Sequence, residues 1–198
     1  MQSGRLSGFV PYKGTKDLPN AGRISRFIRN FVDMKVALCQ FSMEWEAAAR
    51  NLRRAEELVA QAGADLALLP EMFATGFVTE PWRTALPDEE ELLAWMRRTA
   101  RRYATALAGS AVVRSGDRFA NRFFFVRPAG GAERYDKRHL FSIGGEDAHF
   151  VAGRRRVVVE YGGLRFLPLV CYDLRFPVWC RCRSDYDAIL CVASWPAP

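Results

Sequence analysis

Residues 165–177 read Arg-Phe-Leu-Pro-Leu-Val-Cys-Tyr-Asp-Leu-Arg-Phe-Pro, and the layout of the chain follows from how this stretch is parsed. Phe166 to Val170 is an apolar run of strand length that delivers Cys171 at its end. The residues beyond it are polar and turn at Phe176-Pro177, so the thiol stands at a strand terminus beside the opening of a helix. Such a position presents unpaired N–H groups, favours a thiolate and can bind a developing negative charge. Taken alone, Cys171 reads more readily as a small buried hydrophobe, and the rest of the chain must decide.

Around this stretch, Val157 to Tyr161 and Leu164 to Val170 form a hairpin about Gly162-Gly163. A short helix after Pro177 and a last strand, Ala188 to Ser194, follow. Upstream, Val36 to Phe41 reads as a strand, and Glu46 to Gln61 as a helix closed by Gly63, with Ala48, Leu52, Ala55, Leu58 and Val59 at spacings of three and four. Leu66 to Leu69 is a short buried strand ended by Pro70, with Glu71 immediately beyond, and Met72 to Phe77 is an aromatic loop. Asp88 to Tyr103 gives a second helix with Leu92, Trp95, Met96 and Thr99 inward. Leu107 to Val113 and Phe119 to Val126 are strands around Ser115-Gly116-Asp117, and residues 142–153 read as a polar loop holding Glu146. Strand and helix alternating, then hairpins, indicates a layered α/β domain.

The 198 residues suit one domain with a core that needs no disulfide or structural metal. The formal charge is +7, but residues 1–33 hold six basic side chains against two acidic ones, and no aromatic-basic nucleic-acid motif accompanies the remaining arginines. No apolar run has the length of a membrane span. The five cysteines form no C-x-x-C pair, which argues against a disulfide framework or a zinc site and points to a reducing compartment, the cytoplasm. Residues 1–33 read as an extension outside the domain, poorly ordered and consistent with an over-long start, since Met34 directly precedes the first strand. The competing reading is a targeting or membrane-surface helix with Ile24, Phe27, Ile28 and Phe31 on one side.

Three strand ends therefore carry three reactive groups: Glu71, Lys137 and Cys171. A thiol with a solution pKa of roughly 8.5 needs a base or a nearby cation to act at neutral pH. Glu71 can supply the first and Lys137 the second. His139 and His149 leave a Cys-His pairing open, and no G-x-S-x-G is present for a serine hydrolase.

Leu69-Pro70-Glu71-Met72-Phe73, Tyr135-Asp136-Lys137-Arg138-His139-Leu140-Phe141 and Val170-Cys171-Tyr172-Asp173-Leu174-Arg175-Phe176-Pro177 together resemble the nitrilase-type carbon-nitrogen hydrolases, and the resemblance runs from Met34 to Pro198. It implies an α/β fold, the α-β-β-α sandwich of that family, expected here to be incomplete at the C-terminus. It also implies roles: Glu71 as general base, Lys137 as oxyanion stabiliser, Cys171 as nucleophile, and Glu146, seven residues before Gly153, as a second glutamate supporting Lys137. The backbone N–H of Tyr172 would be the second oxyanion donor, with Asp173 and Arg175 fixing the elbow around Cys171. Trp195 would wall the substrate pocket, core packing being its other reading. Within the family the Cys171 to Pro177 motif with Trp195-Pro196 looks most like the omega-amidase branch, which hydrolyses the terminal amide of 2-oxo acids such as 2-oxoglutaramate. No cofactor and no metal are implied. The partner is a small-molecule amide, with neither nucleic acid nor membrane, and the homodimer of the full-length family is not expected to carry over securely to a shortened chain. The alternatives are an inactive fragment or interaction relic of the family, an enzyme acting on another small amide or nitrile, or nucleic-acid or membrane binding through residues 1–33.

Overall fold

A computed structural model describes residues 34–83 and 88–195. The readings placed on residues 1–33 and on Pro196 lie outside these.

The chain opens with β1 (Val36–Leu38), α1 (Ala48–Ala62), β2 (Leu66–Leu68) and α2 (Glu89–Tyr103), and continues with β3 (Ala106–Ser115), β4 (Arg118–Val126) and β5 (Ala132–Asp136). These strands form one sheet in the order β1-β2-β3-β4-β5, parallel through β3 and antiparallel from there. The two helices supply the crossovers that parallel pairing requires. α1 buries Ala55 and Val59 and ends at Gly63, which takes the left-handed conformation expected of it. In α2, Asp88 caps the first turn by accepting from the N–H groups of Glu90 and Glu91, and the inward side chains Leu92, Trp95, Met96 and Thr99 are buried as the periodicity predicts.

β6 (Val159–Tyr161), β7 (Leu164–Val170) and β8 (Ala188–Val192) make a second sheet, with the hairpin at Gly162-Gly163 in the predicted register and β8 parallel to β7. Both glycines have positive φ, as a two-residue hairpin turn demands. The sheets share a core in which Ala106, Phe123, Phe125 and Tyr135 of the first meet Val159, Phe166, Val170 and Leu190 of the second. Helices therefore cover one face of the first sheet and the second sheet covers the other. The described residues build three of the four layers of an α-β-β-α sandwich, and among them no helix is long and apolar enough to cross a membrane.

The sequence reading departs from the structure in a few places. β1 stops at Leu38, because Gln40 turns back to bond the Leu38 carbonyl. β5 was not predicted as a strand: Ala-Glu-Arg-Tyr-Asp is too polar to signal one, and it forms because β4 pairs with it and because Arg122 clasps Asp136 through two hydrogen bonds. The 142–153 loop holds one short helix, α3 (Glu146–His149), which turns Glu146 inward. The helix after Pro177 is α4 (Pro177–Cys180).

Gly153 locks that loop against β5. Its N–H donates to the Lys137 carbonyl at 2.8 Å, and a Cβ there would lie 2.0 Å from the Asp136 carbonyl oxygen. At Gly131 a Cβ would meet only the end of the Arg127 side chain, at 3.6 Å. Gly153→Ala is accordingly expected to cost about 3 kcal/mol or more, the upper range for overpacking a site that cannot yield. Gly131→Ala should change stability by less than about 0.5 kcal/mol. Chemical denaturation of the two variants, compared at constant m-value, checks the difference.

Candidate active site

Each predicted group leaves its strand at the same edge of the two sheets. After β2 the chain stays tied to β3, since Leu69 N–H donates to the Ala108 carbonyl, Met72 N–H to Ser110 Oγ and Phe73 N–H to the Ser110 carbonyl. That tether turns Glu71 inward, where it is fully buried. Lys137 follows β5 directly, with its N–H on the Asn121 carbonyl at 2.9 Å, and is also fully buried.

The Lys137 ammonium sits between two carboxylates, 3.0 Å from Glu71 Oε1 and 2.8 Å from Glu146 Oε2. Burial opposes a charge at Lys137, but the two carboxylates outweigh it and hold its pKa above the usual lysine value, so the group is an ammonium throughout the neutral range. Asn121 completes the cluster. Its Nδ2 donates to Glu71 Oε1 at 2.9 Å and to Glu146 Oε1 at 3.1 Å. Two backbone amides add to this: Ser194 N–H donates to the remaining oxygen, Glu71 Oε2, at 3.0 Å, and Phe141 N–H shares Glu146 Oε2 with Lys137, at 2.7 Å.

Cys171 begins the 3-10 turn that runs from Cys171 to Arg175 after β7, and its φ of 47° is in the left-handed region, a strained conformation for a side chain with a Cβ. Asp173 holds the turn. It is fully buried and accepts from the N–H groups of Val170 and His139, from the Tyr135 hydroxyl and from the His139 ring. Arg175 does not pair with it; the guanidinium lies 5.7 Å from the centre of the Trp195 ring.

Burial pushes the Cys171 thiol up to about 12, and the Glu71 carboxylate in hydrogen-bond contact with it adds to that rise; Lys137 and the Ser194 N–H oppose it without prevailing. Desolvation and a facing carboxylate outweigh a single short turn and one ammonium, and the thiol must lose its proton to a base as it reacts. Glu71 is the carboxylate beside it.

A cavity of about 1010 Å³ opens onto Lys137, Cys171 and Tyr172, and its walls include Phe41, Trp45, Phe77, Phe141 and Trp195. Trp195 is 62% exposed, so it lines the cavity instead of filling a core. Neither histidine supports a Cys-His pairing. His139 is bound to Asp173 and stacked on Phe176 at 3.7 Å, and His149 packs edge-on against Trp82. All five cysteines are free thiols. Among the described residues no group of three His, Cys, Asp or Glu side chains is placed to hold a metal ion.

Sequence reasoning missed Asn121, Asp173 as an organiser through Tyr135 and His139, and the Ser194 amide. The signal for Asn121 was available: it is the one uncharged polar side chain in the run Phe119 to Val126, a poor strand former in an apolar strand. Ser194 acts through its backbone, which sequence does not reveal.

Comparison with known proteins places this geometry in context. The chain is 46% identical over 165 residues to the omega-amidase YafV of Yersinia enterocolitica, covering 83% of this chain and 64% of that protein's length. It is 28% identical over 170 residues to the 2-oxoglutaramate amidase of Bacillus subtilis, covering 82% of this chain and 66% of that one. In structure it superposes with a TM-score of 0.78, at 38% identity, on a CN-hydrolase superfamily protein of Xanthomonas campestris that carries an arsenic adduct in its active site; the match covers 83% of this chain and 66% of the other. The family model for carbon-nitrogen hydrolases matches residues 35–197, from the first strand to beyond the last, and this chain belongs to that family.

Proposed function

We propose that the chain hydrolyses the terminal amide of a small 2-oxo acid such as 2-oxoglutaramate, releasing ammonia through a thioester on Cys171. The observation that carries this is the half-buried Cys171 thiol placed beside Glu71, with Glu71 held by the Lys137 ammonium and both Cys171 and Lys137 opening onto one cavity. The likeness to the omega-amidase of Yersinia enterocolitica and the 2-oxoglutaramate amidase of Bacillus subtilis supports the substrate class.

The chemistry follows from the positions. Cys171 Sγ adds to the amide carbonyl as its proton passes to Glu71, so no free thiolate has to accumulate. The oxygen becomes an oxyanion facing the Lys137 ammonium and the N–H of Tyr172, which the geometry of a first turn leaves without an intrahelical partner. One such donor is typically worth about 3 to 4 kcal/mol. Glu71 returns the proton to the nitrogen, the C–N bond breaks and ammonia leaves. Water, deprotonated by Glu71, then attacks the thioester, releasing a carboxylate and restoring the thiol. Glu146 keeps Lys137 in place, and Trp195 walls the pocket. The catalytic domain is residues 34–198, with residues 1–33 an extension outside it; the start of the family match at residue 35 supports that division. A cytoplasmic location completes the reading, supported by five free thiols.

Two measurements test this. Ammonia release from 2-oxoglutaramate, read by a coupled assay, is expected from the parent chain and not from Cys171→Ala; equal release by both, or none by either, refutes the assignment. Glu71→Gln should lower hydrolysis by about 10²- to 10⁴-fold, the usual contribution of a general acid-base group. The same variant removes the carboxylate that raises the thiol while keeping Lys137, so the pH at which iodoacetamide alkylates Cys171 should move down from the parent's. Peptide mass spectrometry across a pH series reads that shift.

A further inference from the structure

The cluster carries an arithmetic problem that the three-residue reading does not solve. Glu71 and Glu146 are both fully buried and share a single ammonium, so two like charges must be held close together with a net charge of −1. Like charges this close repel, and the ammonium alone leaves the carboxylate oxygens that face Asn121 without a donor. Asn121 is where this is resolved. Its one NH2 group donates to both carboxylates, and the orientation of the amide is settled by them, because the reverse would set its carbonyl oxygen against two anions.

Asn121 Oδ1 is buried and has no hydrogen-bond partner. A residue that merely filled the strand would not leave a carbonyl oxygen unsatisfied there, since an apolar side chain of similar size would avoid that cost. The amide is present for its donors. A cation at this position would weaken Glu71 as a base and an acid would add a third negative charge; a neutral double donor alone holds both glutamates without changing the charge of the pocket. Its backbone carbonyl also takes the Lys137 N–H, so one residue fixes all three charged groups.

We propose that Asn121 is a positioning residue of the hydrolytic site, sharing its amide donors between Glu71 and Glu146 so that both carboxylates are held in place and Glu71 stays turned toward the Cys171 thiol. This rests on the hydrolytic reading above. The groups that face Glu71 are Lys137 at the end of β5, Glu146 on α3 across Lys137 and Asn121, Cys171 after β7, Cys191 on β8, and the Ser194 N–H beyond it. Of these, Asn121 is the partner that can be changed without removing a reacting atom or the ammonium.

The test uses Asn121→Asp, which keeps the shape and loses the paired donors, and Asn121→Ser, which keeps one short donor. Two pH series are measured on the full chain: kcat/KM with 2-oxoglutaramate, and the rate at which iodoacetamide modifies the Cys171 peptide, which needs no turnover. In Asn121→Asp a further negative charge joins the two carboxylates beside the thiol, so the acidic limb of both profiles should move up by about one pH unit, the ordinary effect of an added like charge. At neutral pH, kcat should fall about 10- to 100-fold with little change in KM, as expected when an interaction acts through the base and not through substrate binding. Asn121→Ser should fall between the parent and Asn121→Asp on each measure. Acidic limbs that stay at the parent's position in either folded variant, with only the melting temperature lowered, overturn the proposal and leave Asn121 a structural residue. If no chain turns over the amide but the alkylation limb still moves, the substrate assignment fails and the role of Asn121 stands.

Discussion

A single ammonium buried between two carboxylates governs the arrangement of the two sheets' shared edge. Glu71 lies 66 residues before Lys137 and Glu146 nine after it, each on a different segment, and none is exposed to solvent. Burying any one of them alone would be prohibitive, and removing one partner from such a set typically costs about 3 to 5 kcal/mol because the others are left uncompensated. Local features around the cluster therefore serve its assembly: the Ser110 tether that turns Glu71 inward, the Gly153 contact that closes the loop over β5, and the short helix that presents Glu146.

The second requirement is a nucleophile that is quiet at rest. Cys171 sits in a strained left-handed turn at the end of β7, braced by Asp173, which collects four hydrogen bonds from groups on three segments. Its environment raises the thiol, since desolvation and the Glu71 charge prevail over Lys137. In the proposed reaction this divides the labour: Lys137 is spent largely on the two glutamates and on a developing oxyanion, and the thiol is activated only as its proton moves to Glu71. A permanently ionised cysteine would be open to alkylation and oxidation across the whole cavity mouth.

How much of this could be read from the chain depended on whether the signal was local. Cys171 at the end of Phe166 to Val170, and Glu71 after Ala67-Leu68-Leu69-Pro70, stand out because a reactive or charged side chain directly ends an apolar strand. The helix faces of α1 and α2 and the Gly162-Gly163 hairpin were legible for the same reason. Lys137 lies in a mixed charged run and became meaningful only through the family resemblance. β5 was invisible, because its stability comes from β4 and from ion pairs with Arg122 and Arg127, not from its own apolar pattern. How far burial raises the Cys171 thiol was not legible, since the strength of desolvation depends on tertiary burial that a strand-end rule does not contain.

The chain spans 64% of the length of the Yersinia enterocolitica omega-amidase it matches, yet the residues in hand bring Lys137 and Cys171 to one cavity, with Glu71 and Glu146 bound to the ammonium. The most direct test of that convergence is to mix the parent chain with 2-oxoglutaramate, quench in acid within the first turnovers, and measure the mass of the Cys171 peptide. A peptide heavier by the substrate's acyl group, appearing together with the first ammonia released, is the predicted result. Ammonia formed while the Cys171 peptide stays unmodified and its alkylation leaves the rate unchanged would contradict a covalent role for this thiol.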